Sequence, residues 1–301
     1  VIAKPLGLDV EGVKANFLNA YQEEGAQHQL ITGAPIPSTQ ETETYKWLDE
    51  LNAFDYWDDK GAIPEATSNL WSYDLKNRPY GANWTVSEHE VRLDKIGAIN
   101  LRARQMGSAA AHWYNDRLAA TMEGATSGNL FDGVPFFSAS HPTGATTVAN
   151  YYTTGYELTQ TNLETVIANM RGFTGRSGKR LGVRPSHLIV PPELEFTAKR
   201  ILLTNQEAAG GTRADSDVLK GRVELIVFDA LTDANAWYVA DLTKPIRPFF
   251  MQELLGLRVL SQGPSDLSDQ YIQSRVYTFS ADGECAFGKS LWFLCSFCNP
   301  S

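Results

Sequence analysis

Apolar residues recur at steps of three and four through Val10, Val13, Phe17, Leu18 and Tyr21, which predicts an amphipathic helix over residues 9–24. Pro35 and Pro37 are expected to end regular structure there. Period-two alternation comes next. Trp71, Tyr73 and Leu75 alternate with Ser72, Asp74 and Lys76, and Trp84 and Val86 alternate with Thr85 and Ser87. With Pro79 and Gly81 between them, the two runs predict one long hairpin. Neither face is strongly apolar, and an isolated hairpin is marginal in water, so it should lie against its own domain or a neighbouring subunit.

The longest helical stripe follows: Ile96, Ile99, Ala103, Met106, Ala110, Trp113, Leu118 and Met122. A helix over residues 93–122 would be about 45 Å long, with Ala109, Ala110 and Ala111 small enough to admit another backbone. A coiled coil competes for this spacing, but the stripe is poor in large apolar residues. Residues 124–156 read as loops with short strands. A second helix should begin at Thr161, which has capping-box spacing to Glu164, and bury Leu163, Val166, Ile167 and Met170.

Beyond it, residues 187–190 form an apolar strand, and Pro191 and Pro192 suit the start of a helix whose face is Leu194, Ala198, Ile201 and Leu202. Gly210 and Gly211 open a stretch expected to be a mobile loop. Strands are predicted over 223–228 and 236–240, with a turn at 233–235, and a further pair over 249–252 and 257–261. Residues 271–279 alternate, Asp282-Gly283 is a hairpin signal, and 290–298 returns as an apolar strand. No internal repeat is present.

Composition narrows the class. The chain has 301 residues, 43% hydrophobic and 20% charged, which is ordinary for a globular protein and excludes disorder as the dominant state. No run approaches the roughly 20 apolar residues of a membrane span, and residues 1–9 lack a signal-peptide layout. The net charge of −9 argues against a free nucleic-acid binder. Three cysteines make no disulfide framework, so a reducing cytoplasm is expected. The acid is concentrated in residues 40–60, where Glu41, Glu43, Asp49, Glu50, Asp55, Asp58 and Asp59 face only Lys46 and Lys60. A solvated loop explains the charge. The interleaved Trp47, Leu51, Phe54, Tyr56 and Trp57 ask for a covering surface. Residues 171–184 are the reverse, with Arg171, Arg176, Lys179, Arg180 and Arg184 and no acid.

Candidate chemistry is thin. Cys295-x-x-Cys298 lacks the further ligands of a zinc site and reads as buried strand cysteines. Asp132, Ser138 and His141 suggest a hydrolytic triad, but no G-x-S-x-G elbow surrounds Ser138. In residues 175–180, Arg180 occupies the Ser/Thr place of a phosphate-cradling loop and the first glycine is misplaced. The histidines are scattered. No catalytic residue, cofactor or metal is predicted.

The order of the pieces resembles a known family. Residues 129–142, NLFDGVPFFSASHP, are similar to the DG-x-x-x-F-S-x-x-H signature of the Mu-like phage major head subunits. Residues 186–198, SHLIVPPELEFTA, resemble the strand, Pro-Pro turn and helix of phage capsid proteins, and residues 233–240, DANAWYVA, their N-x-W-Y strand. Residues 275–292 resemble the closing strand pair.

The resemblance implies an α+β, HK97-like major capsid fold. Its parts would be an N-terminal arm (1–39), an E-loop region holding an extended hairpin (40–92), a peripheral domain with a long spine helix (93–185), an axial domain (186–255) and C-terminal strands returning to the peripheral domain (256–301). It further implies a homo-oligomer of hexamers and pentamers in an icosahedral virion shell, assembled in the host bacterial cytoplasm. The expected partners are a portal, scaffold or decoration proteins, and packaged double-stranded DNA gripped weakly, since tight phosphate contacts would resist its movement. An encapsulin-type compartment and a soluble hydrolase remain the alternatives.

For the subunit interface, the residues singled out are Trp71, Tyr73 and Trp84 on the hairpin, the acids Glu41, Glu43, Asp58 and Asp59, and the bases Arg176, Lys179 and Arg180. The acidic run of one copy is expected to meet the basic run of the next.

Overall fold

The computed structural model describes residues 8–48, 70–94, 97–143, 146–175, 178–203, 219, 221–262 and 273–300. The first helix forms as its periodicity predicts. Helix α1 (Val10–Glu23) is capped by Asp9, whose carboxylate accepts from Gly12 N at 3.0 Å. It buries Val13, Phe17 and Ala20, while Leu18 stays exposed. Helix α2 (Gln27–Thr32) stacks His28 on Tyr114, and the Asn115 side-chain oxygen accepts the His28 backbone N–H at 3.0 Å. The prolines do not end all regular structure here. Strand β1 (Ile36–Pro37) pairs in parallel with a later strand, at a sheet edge where a residue without an N–H is tolerated.

The predicted hairpin is corrected. Strand β2 (Thr42–Leu48), inside the stretch read as an acidic loop, pairs antiparallel with β3 (Leu70–Lys76), in register from Thr42↔Lys76 to Leu48↔Leu70. The run holding Trp84 is β4 (Arg78–Ser87), which joins a different sheet. The Pro/Gly punctuation between the two runs lies within β4 rather than in a tight turn between paired strands.

The single long helix is also divided. Helix α3 (Glu88–Leu93) has a full capping box from Ser87 and Glu90. The chain then breaks, with Gly97 in the left-handed region at φ 72. Helix α4 (Ala98–Glu123) restarts with its first N–H groups bonded to the Asp94 carboxylate, from Ala98 N at 2.9 Å and Ile99 N at 3.2 Å. α4 packs on α1 where Gly107 meets the backbone of Phe17; a Cβ there would lie 2.2 Å from the Phe17 carbonyl oxygen. The close approach therefore falls at Gly107 rather than along Ala109–Ala111.

Three short strands follow, β5 (His141–Thr143), β6 (Thr146–Val148) and β7 (Tyr151–Tyr152). Helix α5 (Gln160–Gly172) starts earlier than predicted, capped by the Thr159 hydroxyl on Asn162 N, and buries the four apolar residues expected. Then come β8 (His187–Val190), a 3-10 turn at Pro192–Leu194, α6 (Glu195–Leu203), β9 (Glu224–Val227) and β10 (Trp237–Ala240). The Gly210-Gly211 stretch lies outside the described residues.

Strand β11 (Phe249–Gln262) runs unbroken, apart from irregular register near Leu255, where two short strands were predicted. Strand β12 (Val276–Lys289) likewise passes straight through Asp282-Gly283. These two residues pair with Gly81 and Tyr80 of β4, and Arg258 of β11 holds Asp282 at 2.8 Å. Gly283 is a close-approach glycine: an added Cβ would collide with the Tyr80 ring. A 3-10 turn (Trp292–Leu294) leads to β13 (Cys295–Cys298).

Two sheets carry the architecture. One has the order β1-β11-β12-β4 and packs Trp84, Val86, Tyr277 and Phe279 against Val13, Ile99 and Ala103 of α1 and α4. The other has the order β7-β13-β10-β8-β9 and sits in the largest apolar core with α5 and α6. All four residues of β10 and of β13 are buried. Burial pushes the Cys295 and Cys298 thiols well up and Cys285 up to about 12, so all three stay protonated and inert near neutral pH.

Candidate assembly surface

The two-stranded β2–β3 arm is built from alternating residues, and its inner face settles on the body only at the root. Glu43, Tyr45, Tyr73 and Leu75 turn inward, while Thr44, Lys46, Ser72 and Asp74 face out. Tyr45 donates its hydroxyl to Gln252 Oε1 at 2.8 Å and sets its ring edge-on to Phe250, with centroids 4.9 Å apart. Gln252 is fully buried and returns a bond from Nε2 to the Leu75 carbonyl at 3.1 Å. Asn77 closes the root, its Nδ2 donating to Ser38 Oγ and the Gln40 carbonyl, both at 2.8 Å. Past Tyr45 and Tyr73, β2 and β3 pair with no third strand among the described residues.

Tyr73 is half-buried at the root, with its hydroxyl on the Lys289 backbone. Trp71 pairs opposite Trp47 in the ladder. Trp84 is not on the arm: it stacks on Phe279 at 4.9 Å inside the sheet that receives α1. Glu41 is held by Lys76 at 2.7 Å, an ion pair that lowers its carboxyl pKa. Glu43 accepts from Thr39 N and Ser38 Oγ at 2.9 Å and from Gln40 N at 3.2 Å, and these bonds lower its pKa too. Both acids therefore shape the turn into the arm. Asp58, Asp59 and Arg176 lie outside the described residues. Lys179 and Arg180 are exposed on a turn after α5.

The triad residues are only partly assembled. His141 is fully buried, with Nδ1 2.6 Å from Asp132 Oδ2 and its ring stacked on Trp292 at 4.0 Å. Its Nε2, the atom a nucleophile would need, faces Asn150 Oδ1 at 3.0 Å. Ser138 Oγ instead accepts from Ser140 N at 3.2 Å. Asn150 is the residue the sequence reading missed. Its Oδ1 also accepts from Ser138 N, and its Nδ2 donates to the carbonyls of Phe136, Trp292 and Cys295. The Asp132–His141–Asn150 group is a buried polar knot that ties the signature segment to the end of the chain. Among the described residues no cluster of His, Cys, Asp and Glu could hold a metal, and no helix is long and apolar enough to cross a membrane.

The root of the arm, the two sheets between β4 and β11, and the knot all fall within or beside a stretch with clear relatives. The profile of a family described as phage capsid protein matches residues 76–261, more than half of the chain. The chain belongs to the phage capsid protein family. A second profile, the Mu-like prophage major head subunit gpT, matches residues 229–299 of this capsid protein, which span β10 to β13.

The Mu-like prophage FluMu major head subunit of Haemophilus influenzae is 20% identical over 297 aligned positions, covering 73% of this chain and 96% of the relative. The major capsid protein of Escherichia phage Mu is 40% identical over 75 residues, 25% of this chain and 24% of that one. Among solved structures, the capsid of cyanophage P-SCSP1u superposes with a TM-score of 0.61 at 11% identity, covering 89% of this chain and 86% of that chain. The fold is thus the α+β, HK97-like fold of phage capsids, and the protein is a major capsid protein of a tailed-phage head, a structural component of the virion.

Proposed function

We propose that this capsid protein closes into an icosahedral shell of hexamers and pentamers around packaged double-stranded DNA, and that the β2–β3 arm is the E-loop laid on a neighbouring copy. One observation supports this above the others: the arm is fixed at its root by Tyr45, Gln252 and Asn77, yet beyond it, among the described residues, the ladder has only its own two strands. A free two-stranded ribbon is marginal in water, so a second surface must cover it. Residues 1–39 serve as an N-terminal arm, 93–185 as a peripheral domain with α4 as the spine, 186–255 as an axial domain, and 256–301 as strands returning to the peripheral domain. Trp71 lies on the ribbon beyond the root, while Tyr73 helps anchor the root to the body. Portal, scaffold or decoration proteins join the shell during assembly in the host cytoplasm. The hydrolase alternative is not favoured, because His141 Nε2 meets Asn150 where a nucleophile would have to stand.

Electron microscopy and mass spectrometry of the purified, concentrated chain and of the particle carrying it test this reading. Closed particles of uniform diameter, with DNA and tail components in the virion, are expected. A chain that stays monomeric at every concentration overturns it, and particles filled with a cargo enzyme overturn the DNA-enclosing role.

A further inference from the structure

Where β1, β11 and the root of the arm meet, one carboxylate stands without a partner. Glu253 is the last residue of β11 paired to β1: it lies opposite Pro37, and its carbonyl accepts the Ser38 backbone N–H at 2.9 Å. Ser38 Oγ in turn accepts from Asn77 Nδ2 at 2.8 Å, the bond that closes the root. Immediately after Glu253 the register of β11 on β12 shifts, before Leu255 and again before Arg258. Such an irregularity bends a strand and re-aims its side chains. Register also shows which face Glu253 presents. It pairs directly with Cys285 and stands two positions after Met251, so it shares their face of the sheet. Met251 and Cys285 form a small core with Tyr114 of α4, against which Tyr21 of α1 and Tyr80 of β4 pack. The Tyr80 and Tyr114 hydroxyls meet, Tyr21 lies edge-on to Tyr114 at 6.2 Å, and His28 of α2 stacks on Tyr114 at 5.2 Å. The Glu253 carboxylate itself folds back over Gly256, 3.6 Å from where a Cβ on that residue would lie.

Among the described residues this carboxylate has no ion pair and no hydrogen-bond partner. The titratable groups around it are Tyr21, Tyr80, Tyr114 and Cys285, with His28 behind Tyr114, and no lysine or arginine is among them. A carboxylate is costly to bury with neither cation nor donor, and burial holds the Glu253 carboxyl above its ordinary pKa of 4.5. We propose that Glu253 is a proton-operated latch on the root of the arm. Neutral, it stays over Gly256 against the phenols and keeps the β1–β11 joint closed. Ionised, it turns out to water, and the Ser38 contact and the irregular stretch of β11 loosen with it. Because the folded value is raised, closure is fully favoured below pH 4.5 and is lost as pH rises through that folded value. The phenols and the thiol stay neutral throughout, since burial pushes each of them up. His28 gains charge in acid and acts with the opposite sign. The latch works inside one chain, so it stands or falls apart from the shell-forming reading.

Hydrogen–deuterium exchange on the purified full chain tests the latch, in mildly acidic and in slightly alkaline buffer, with rates corrected for the intrinsic pH dependence of exchange. In the wild type the Ser38 amide should be roughly tenfold less protected in the alkaline buffer, while the amides of α5 keep their protection. Glu253→Gln is neutral in both buffers and carries the same His28, so the histidine's effect cancels in the comparison. Its Ser38 amide should stay protected in both. Glu253→Met, also neutral, serves the same purpose if the first variant does not fold. A wild-type Ser38 amide equally protected in the two buffers overturns the latch whatever the variants do. A folded neutral variant that loses Ser38 protection as far as the wild type does overturns it too. A loss shared equally by α5 is unfolding of the whole chain, and it overturns the latch as well.

Discussion

The arm and the five-stranded sheet are both rich in aromatic residues, and they use them in opposite ways. In the sheet, Trp237, Tyr238 and Phe297 are buried, and Phe297 stacks on Tyr238 at 4.5 Å on one side and Tyr151 at 5.2 Å on the other. On the arm, Tyr45 and Tyr73 are only half-buried, and their contacts lie at the root. The sheet completes its packing within one chain. The arm anchors itself at the root, and past it β2 and β3 have no third strand among the described residues. Substitutions in the first region should therefore act on folding, and those in the second on association.

The largest folding effect is expected at the knot. Asn150→Ala removes at once its bonds to three buried carbonyls, to the Ser138 backbone N–H and to His141 Nε2. At about 1–3 kcal/mol for each buried group left unpaired, with partial relaxation, a loss of about 3–5 kcal/mol should appear as a lower urea midpoint. A loss below about 1 kcal/mol would show that the body does not depend on this group. Gly107→Ala comes next, because the added methyl meets the Phe17 backbone and α1 must shift, a strain of about 1–3 kcal/mol readable as a lower Tm.

Tyr45→Ala should cost only about 1–2 kcal/mol in unfolding, since its hydroxyl bond to Gln252 and its edge-on contact with Phe250 are lost from a half-buried site. Per folded molecule it should nevertheless reduce particle yield more than Gly107→Ala does. The reverse ranking would erase the distinction between arm and body.

The smallest effect concerns pH. His28 is buried beside Asn115, and desolvation holds its imidazole pKa below 6.5. Its neutral form favours the fold above pH 6.5, and that stability is lost as pH falls through the lowered folded value. The wild type should therefore lose some Tm between neutral and mildly acidic buffer, and His28→Gln should flatten that slope.

Periodicity made α1 and α5 legible because both bury large apolar residues at regular steps. It lost phase in the middle of α4. The buried positions there are Gly107, Ala111 and Tyr114, two of which carry little hydropathy, while Met106, Ala110 and Trp113 line an open groove beside Tyr80. Turn chemistry misled at Asp282-Gly283, where the glycine serves the Tyr80 ring rather than a reversal. Strand β2 was hidden by its charge: Glu43 and Lys46 disguised an alternation whose apolar members are Tyr45 and Trp47. The open concavity at the end of α5 was half visible, since the basic run names its arginines, but only the fold brings Arg171, Arg180 and Arg184 to its rim. Asn150 left no trace in the sequence, because a lone asparagine before two tyrosines has no pattern to break.

Strand β13 lies between β7 and β10, joined to Tyr151 and Tyr152 on one side and to Trp237 through Ala240 on the other. A strand made after β7, β8, β9 and β10 is thus inserted at the interior of the sheet they form. On the ribosome, β7 and β10 have nothing to bridge them until Cys295–Cys298 has emerged. Nascent chains should stay open at this seam until β13 has emerged, and a product that stops before residue 295 leaves it unclosed.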